Sequence, residues 1–331
     1  MSYISVIGAG AWGTALAALL AEKGYDITLW TREAALAEQI AMERMNRTFL
    51  PGYLLPANLA ATTSLPDALS SARFVLNAVP TQHIRAVFAD SASLLLPECV
   101  IISASKGIEI STFKTPSVIL GELLSRPAAA LSGPSFAKEV TMKLPTAVTL
   151  ATSDQKIGYI LQEIFNTDFF RVYTHNDTIG VEIGGALKNV IAISSGICDG
   201  LSLGHNARAA LITRGLSEIK RLGIALGARE ITFSGLSGIG DLLLTCTASL
   251  SRNYSVGFRL GRGETLAEIT SGTHSVAEGV STALAAHNLA AEMGIDVPIT
   301  EQVYMTLYEN KTPADAVREL MTRSLRAEFD G

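Results

Sequence analysis

Cysteine and histidine are scarce in this chain of 331 residues. The three cysteines, Cys99, Cys198 and Cys246, are widely spaced and form no CxxC pair. This spacing argues against a disulfide framework and is typical of free thiols in a reducing cytoplasm. The five histidines show no HxxxH or similar ligand spacing, so we predict no metal site.

Charge is limited as well. Only 17% of the residues are charged and the formal net charge is −5. We therefore expect no nucleic-acid partner, and an anionic ligand must be held by local positive groups. With 48% hydrophobic residues, the chain can bury a large core, and its length suits two domains.

The first 21 residues carry no charge, so a signal peptide or a membrane span has to be considered. No basic segment precedes the apolar run, and three glycines interrupt it. A strand, a glycine turn and a helix explain the segment better. We expect no stable association with a membrane.

The segment 3–30 predicts a strand–turn–helix–strand unit: "YISVI", then "GAGAWG", a helical run ending at Gly24, and "DITLW". The turn contains G-x-G-x-x-G, and in this context the motif is typical of dinucleotide binding.

Each glycine of the turn has a separate role in that interpretation. Gly8 permits the tight turn, Gly10 lets a pyrophosphate approach the backbone, and Gly13 lets the helix pack on the strand. The start of the helix, with Ala11 and Trp12, supplies backbone N–H groups and the positive end of the helix dipole.

Four more apolar segments predict buried parallel strands: 74–80, 99–105, 128–133 and 146–151. Residues 44–66 predict a long functional loop. After about residue 178 every periodic segment predicts a helix. We therefore predict an α/β fold, in which a Rossmann-type doubly wound sheet (1–178) precedes an all-helical substrate-binding and catalytic domain (179–331).

The end of the second strand bears on the choice between NAD and NADP. An acidic residue there holds a 2′-hydroxyl, whereas an arginine favours a 2′-phosphate. Trp30 and Thr31 occupy the expected acidic positions and Arg32 follows, so we predict NADP. Glu33 keeps NAD possible, and Arg32 could be an ordinary surface residue.

Lys188 lies in the apolar segment 181–201, "VEIGGALKNVIAISSGICDGL". A lysine in such a helix is costly unless it is paired or meets a negative group. It could also reach the surface by extending its side chain.

Five motifs, in this order, resemble bacterial NAD(P)-dependent glycerol-3-phosphate dehydrogenases: "GAGAWGTALA" (8–17), "SASKGIE" (103–109), "LSGPSFAKEV" (131–140), "EIGGALKNVIAISSGICDGL" (182–201) and "GLSGIGDLLLTCTASLSRNYSVGFRLGRG" (235–263). "VAEGV" (276–280) is similar too. The resemblance implies interconversion of dihydroxyacetone phosphate and sn-glycerol 3-phosphate in the cytoplasm, a product used for phospholipid synthesis, and a homodimer. Ala11 departs from the serine common in that turn, which puts a hydroxyl contact to the pyrophosphate in doubt.

Ketone reduction needs a hydride on carbon and a proton on oxygen. Lys188 is our candidate proton donor and acceptor, as the resemblance also implies. Gly184 and Gly185 would leave room beside it for the nicotinamide and the substrate. Lys106 can stabilise negative charge on the carbonyl oxygen and contact the cofactor, although it could be a solvated loop lysine.

Asp241 and Thr245 are four residues apart and face one side of a helix. Asp241 can therefore hold Lys188 and contact a substrate hydroxyl. It can also cap its own helix, and the two roles are not exclusive.

The segment 249–257, "SLSRNYSVG", is the phosphate candidate, because Ser251, Arg252 and Asn253 combine three donor types at a predicted helix start. A simple surface cap would look similar. The resemblance adds residues on the substrate side and on the cofactor side. On the substrate side these are Gly133 and Ser135, and on the cofactor side they are Ala137, Arg252, Val276 and Glu278.

Two alternatives remain open. Another two-domain dehydrogenase, such as a hydroxyacid dehydrogenase or a ketopantoate-type reductase, would need a carboxylate clamp, whereas the segment around Arg252 fits a phosphate monoester better. A non-catalytic NADP-binding regulator leaves Lys106, Lys188 and Asp241 unexplained.

Overall fold

A computed structural model describes residues 3–271, 277–325 and 327–328. Its strands are β1 (Tyr3–Ile7), β2 (Asp26–Trp30), β3 (Met45–Asn46), β4 (Leu50–Leu54), β5 (Leu59–Thr62), β6 (Phe74–Asn77), β7 (Val100–Ser103), β8 (Ala128–Ser132), β9 (Thr146–Ala151) and β10 (Phe170–His175). Its helices are α1 (Ala11–Glu22), α2 (Ala34–Glu43), α3 (Leu65–Leu69), α4 (Ile84–Phe88), α5 (Pro116–Leu124), α6 (Ala137–Thr141), α7 (Gln155–Phe165), α8 (Thr178–Gly200), α9 (Gly204–Ala225), α10 (Asp241–Thr247), α11 (Arg252–Gly261), α12 (Leu266–Thr270), α13 (Glu278–Met293), α14 (Pro298–Tyr308) and α15 (Pro313–Met321).

The main sheet has eight strands in the order β10-β9-β8-β7-β6-β1-β2-β5. The chain proceeds from β1 toward β2 on one side and from β6 toward β7 on the other, so the strand order reverses between β1 and β6. Ile7, the last residue of β1, pairs in register with Trp30 and Asn77, the last residues of the strands on either side. Ligands of doubly wound sheets bind at the carboxyl edge beside such a reversal.

From Thr178 onward the described residues contain helices and no strand. We call this part the helical half, and the described residues before it the sheet half. The predicted Rossmann-type sheet followed by a helical region is confirmed, whereas the domain boundary at residues 178 and 179 stays a prediction.

Helix α8 is the centre of the helical half. It packs against α9, α10, α11, α13 and α14, and nearly all of its residues are buried. Its length and apolar composition would suffice to cross a membrane, but the apolar window is entirely buried inside the protein. Lys188 is thus held inside a protein core, and the idea that its side chain reaches the surface is wrong.

Two predictions about strands are wrong. Residues 44–66 are not a long loop, because β3 and β4 form an antiparallel pair and β5 extends the main sheet beside β2. These strands are short, and Pro51 and Gly52 lie within β4. The proline and glycine of the segment therefore predicted a loop instead of strands. In addition, β9 runs antiparallel to β8 rather than parallel to it, since a wholly buried apolar strand carries no sign of its direction.

Candidate active site

The glycine-rich turn forms an open cradle at the carboxyl edge of the sheet. Gly8 has φ of 116°, and a Cβ added there would lie 2.8 Å from backbone atoms of Ala78. A Cβ on Gly13 would lie 1.9 Å from the Gly8 carbonyl oxygen. A Cβ on Gly10, in contrast, would have no atom within 4 Å. Two glycines therefore allow close packing of the turn, while the third leaves space for a ligand.

The start of α1 is suited to bind an anionic group in the space beside Gly10. Gly10 is its N-cap and makes no side-chain capping bond, so the first backbone N–H groups of the helix can meet a phosphate. The indole Nε1 of Trp12 is buried without a hydrogen-bond partner among the described residues. Ala137 begins α6, which packs against α1. These residues fit the pyrophosphate of a dinucleotide.

Arg32 follows β2 at the same edge and is exposed. Its guanidinium lies 3.1 Å from the Glu33 carboxylate, and the Thr31 hydroxyl donates to the same carboxylate at 2.8 Å. The pair lies just beyond β2, beside the glycine-rich turn, and presents one positive and one negative group.

Lys188, Lys106 and Asp241 form one buried cluster. The Lys188 Nζ donates a short hydrogen bond to the Asp241 carboxylate and another of 2.9 Å to the Thr245 hydroxyl. The Lys106 Nζ donates to the other carboxylate oxygen at 2.7 Å and to the Gly133 carbonyl at 3.2 Å. Asp241 is fully buried and Lys188 is 6% exposed. An ammonium has three N–H groups, so one of those on Lys188 is left for a ligand once its described bonds are made.

The cluster is connected to the glycine turn through backbone neighbours. The Ser105 hydroxyl donates to the Val79 carbonyl at 2.6 Å, and Asn77 donates to Ser105 at 2.9 Å. Ser105 precedes Lys106, and Val79 follows the Ala78 that contacts Gly8. These contacts place the base of the Lys106 loop beside the cradle.

The charges in the cluster shift one another's proton affinity. Burial lowers the pKa of Lys188, Asp241 raises it and Lys106 lowers it, and the net result is a pKa of about 7. Burial alone would raise the pKa of Asp241, but the two lysines outweigh it and hold that pKa below its ordinary value. The carboxylate thus stays charged while Lys188 can gain or lose a proton near neutral pH.

Two sequence interpretations of this region need correction. Gly184 and Gly185 do not leave room for a ligand: added Cβ atoms would lie 2.5 Å from the Ser237 carbonyl oxygen and 2.6 Å from the Ser132 hydroxyl. They let α8 pack closely on its protein neighbours. Asp241 is not a helix cap either, because the N-cap of α10 is Gly240, with no side-chain capping bond, and the Asp241 carboxylate faces the lysines.

The segment around Arg252 has two buried side chains, Ser251 and Asn253, on either side of the exposed Arg252. Ser251 is a buried N-cap whose hydroxyl accepts from the Tyr254 N–H at 3.2 Å. The Asn253 amide donates to Asn189 at 2.9 Å and accepts from the Gly279 N–H at 2.9 Å. Arg252 is exposed at the first position of α11. Ser251 is therefore a helix cap, although a buried one, and the contact of this segment with a phosphate stays a prediction.

Glu278, the first residue of α13, lies near this cluster. Burial raises the pKa of Glu278 to about 7, against the attraction of Arg252, Lys106 and Lys188. In the sequence this carboxylate was implied only by the resemblance, and the structure places it within electrostatic range of these three cations. Val276 lies outside the described residues.

The loop after β8 contacts Lys106 through the carbonyl of Gly133. Gly133 has φ of 145°, and its carbonyl accepts from both Lys106 and, at 3.0 Å, the Ser135 hydroxyl. Asn189 was missed by sequence reasoning. Its side chain joins α8 to Asn253. The sequence signal that could have identified Asn189 is its position next to Lys188.

Comparisons with known proteins match this arrangement along nearly the whole chain. Residues 3–158 match the family model of the NAD-dependent glycerol-3-phosphate dehydrogenase N-terminus, and residues 177–318 match that of its C-terminus. The chain belongs to the NAD-dependent glycerol-3-phosphate dehydrogenase family.

Curated relatives agree with that assignment. Proteins named glycerol-3-phosphate dehydrogenase [NAD(P)+] from Citrifermentans bemidjiense and Geobacter sulfurreducens are 53% and 52% identical over 329 residues, covering 98% of this chain and 98% of each relative. The crystal structure of glycerol-3-phosphate dehydrogenase from Coxiella burnetii matches with a TM-score of 0.94 and 39% identity, over 97% of this chain and 99% of that one. The predicted family, fold class and NAD(P)-dependent enzyme are confirmed, and the individual site residues stay predictions.

Proposed function

We propose that this protein interconverts dihydroxyacetone phosphate and sn-glycerol 3-phosphate by hydride transfer with NAD(P)H. The observation that carries the proposal is the buried cluster of Lys188, Lys106 and Asp241, connected to the glycine-rich cradle through Ser105 and Val79. Family membership supplies the substrate pair, and the cluster supplies groups suited to ketone chemistry.

The reaction divides between cofactor and protein. When bound, the dinucleotide supplies the hydride. Lys188 holds a proton at Nζ, and its remaining N–H donates to the substrate oxygen, so that this oxygen becomes a hydroxyl. In the reverse direction neutral Lys188 takes the proton back. A pKa of about 7 suits both directions near neutral pH.

The other two residues of the cluster prepare Lys188 for this step. Asp241 orients the Lys188 ammonium through a buried hydrogen bond, which fixes the direction of the remaining N–H. Lys106 places a second positive charge close by, which stabilises negative charge on the substrate oxygen and makes Lys188 a stronger acid. Thr245 holds a second N–H of Lys188 at 2.9 Å.

Arg252 is the residue we assign to the substrate phosphate, together with the start of α11. A guanidinium can meet a phosphate through two parallel hydrogen bonds, and the helix start supplies positive dipole. Ser251 caps this helix start, and Asn253 holds it against α8 and α13. Gly133 and Ser135 complete the substrate side from the loop after β8.

Several finer features belong to the same proposal. Arg32 contacts the 2′-phosphate, so NADP is the preferred cofactor and NAD the weaker one. The resemblance to the family also assigns Ala137, Val276 and Glu278 to cofactor binding. The protein works as a homodimer in the cytoplasm, without stable membrane association, and supplies glycerol 3-phosphate for phospholipid synthesis. The three described cysteines, all buried free thiols, support a reducing compartment.

Following NADPH absorbance tests the proposal. We expect oxidation of NADPH with dihydroxyacetone phosphate and none with 2-oxo acids. Turnover only with a 2-oxo acid would favour a hydroxyacid dehydrogenase or ketoacid reductase, and NADPH binding without turnover would favour a regulator. A parallel comparison of NADPH with NADH, on the natural protein and on Arg32→Ala, tests the cofactor preference.

A further inference from the structure

A buried carboxylate joins the two halves of the molecule. Glu182 lies on α8, in the helical half, and is 4% exposed. Its Oε1 accepts from the backbone N–H of Ser117 at 2.8 Å, and its Oε2 accepts from the Ser117 hydroxyl at 2.5 Å. Ser117 is the second residue of α5, in the sheet half, and Thr115, the N-cap of α5, makes no side-chain capping bond. A residue of one half therefore caps a helix of the other.

The contact lies on the helix that carries Lys188. Glu182 and Lys188 are six residues apart on α8, which corresponds to about 9 Å along the axis and roughly 240° around it. One face of α8 is thus fixed to the sheet half while another presents the lysine.

Neighbouring residues extend this attachment. Val181 packs with Ala130 and Ala151 of β8 and β9, and Gly185 lies close to the Ser132 hydroxyl. The first turns of α8 are docked on the sheet, and Glu182 makes the polar contact of this docked surface with α5.

Glu218 makes the same kind of contact with a helix start as Glu182, but it does not connect the two halves of the molecule. It is a buried carboxylate on α9 that accepts from the backbone N–H groups of Ile299 and Thr300 at 2.6 and 3.0 Å and from the Thr300 hydroxyl at 3.0 Å. These partners lie at the start of α14, so both ends of this contact belong to the helical half. Glu218 is a matched control for Glu182.

We propose that Glu182 is a positioning residue that holds α8, and with it Lys188, in register with the cofactor cradle of the sheet half. This role rests on the proposed function. Losing the contact should affect cofactor binding far less than catalysis, because the glycine-rich cradle that would hold the pyrophosphate lies in the sheet half. Hydride and proton transfer should suffer, because they need groups from both halves at once, and small misplacements of reacting groups cost up to about a hundredfold in rate.

The test compares Glu182→Ala with Glu218→Ala in the full-length protein, measuring kcat with dihydroxyacetone phosphate, NADPH affinity by fluorescence and thermal stability. We expect both variants to lose stability. Glu182→Ala should lower kcat by roughly tenfold or more and leave NADPH affinity within about twofold, whereas Glu218→Ala should change kcat by less than about twofold. Glu182→Gln should restore most of kcat, because its amide oxygen can accept from the Ser117 N–H and its NH2 can donate to the hydroxyl.

Equal losses of kcat in the two alanine variants, or an NADPH affinity that falls in step with kcat, would overturn the role of Glu182. If Glu182→Ala does not fold, the pair Glu182→Asp and Glu218→Asp gives the same comparison with a smaller change. Failure of the natural protein to reduce dihydroxyacetone phosphate would instead refute the proposed function, so the two failures are distinguishable.

Discussion

Replacing Asp241 by asparagine tests how the buried cluster sets the proton affinity of Lys188. The change keeps the shape of the side chain but removes the one charge shared by two ammonium groups. Because Asp241 raises the pKa of Lys188, the pKa in the variant should fall below about 7. Reduction needs protonated Lys188, so activity should be full below this pKa and should be lost at a lower pH than in the natural protein.

The expected size of the effect follows from the geometry. A charge pair 4 Å apart is worth about 4 kcal/mol at an effective dielectric constant of about 20, and Asp241 makes two closer contacts. Lys188 can lose its proton near pH 7 at almost no cost, which limits the penalty. We therefore expect the free energy of unfolding to fall by about 2–4 kcal/mol. At pH 7.5 kcat should fall by roughly tenfold or more, because a smaller fraction of Lys188 is protonated.

The assay is NADPH oxidation with saturating dihydroxyacetone phosphate between pH 5 and pH 8.5. The midpoint of the declining limb should move to lower pH by about one unit or more. Thr245→Val is the matched control, because it removes an uncharged acceptor of the same ammonium and should leave the midpoint nearly in place. A midpoint that stays or rises in Asp241→Asn would refute the reasoning.

Three further predictions concern other parts of the site and fold. Burial raises the pKa of Glu218 to about 7, above about 4.3 in the unfolded chain, so its contribution to stability should decline as pH rises between these values. In Glu218→Gln the melting temperature should therefore fall less steeply over this pH range. An unchanged slope would contradict the assignment. Gly13→Ala forces the turn to shift and should lower both stability and NADPH affinity. Gly10→Ala, with open space around its Cβ, should lower only NADPH affinity, by about tenfold in a fluorescence titration. Equal stability losses in the two variants would contradict the packing argument. Arg252→Lys should raise KM for dihydroxyacetone phosphate by about tenfold and leave turnover of unphosphorylated dihydroxyacetone unchanged, and a parallel loss with both substrates would argue against a phosphate contact.

The cofactor cradle was predictable from the sequence because its determinants are local. The spacing of Gly8, Gly10 and Gly13 between a strand and a helix fixes the turn, and each glycine has the space or contact that the motif requires. The strands of the segment 44–66 were not predictable in the same way, since β5 is identified only by its pairing with β2.

The cluster was predictable in its residue types but not in its connections. A lysine in an apolar helix needs a negative partner, and Asp241 is that partner at a separation of 53 residues along the chain. The link between Asn189 and Asn253 and the cap that Glu182 makes on α5 span 64 and 65 residues. Such contacts depend on how the helices pack, and no local pattern indicates them.

The role of Lys188 as proton donor is tested most directly by Lys188→Met, which keeps a long apolar side chain in the same place. With NADPH binding measured alongside and found intact, kcat for dihydroxyacetone phosphate should fall by about a thousandfold, within the range of general acid catalysis. A variant that binds NADPH and retains turnover within about tenfold of the natural protein would contradict the assignment.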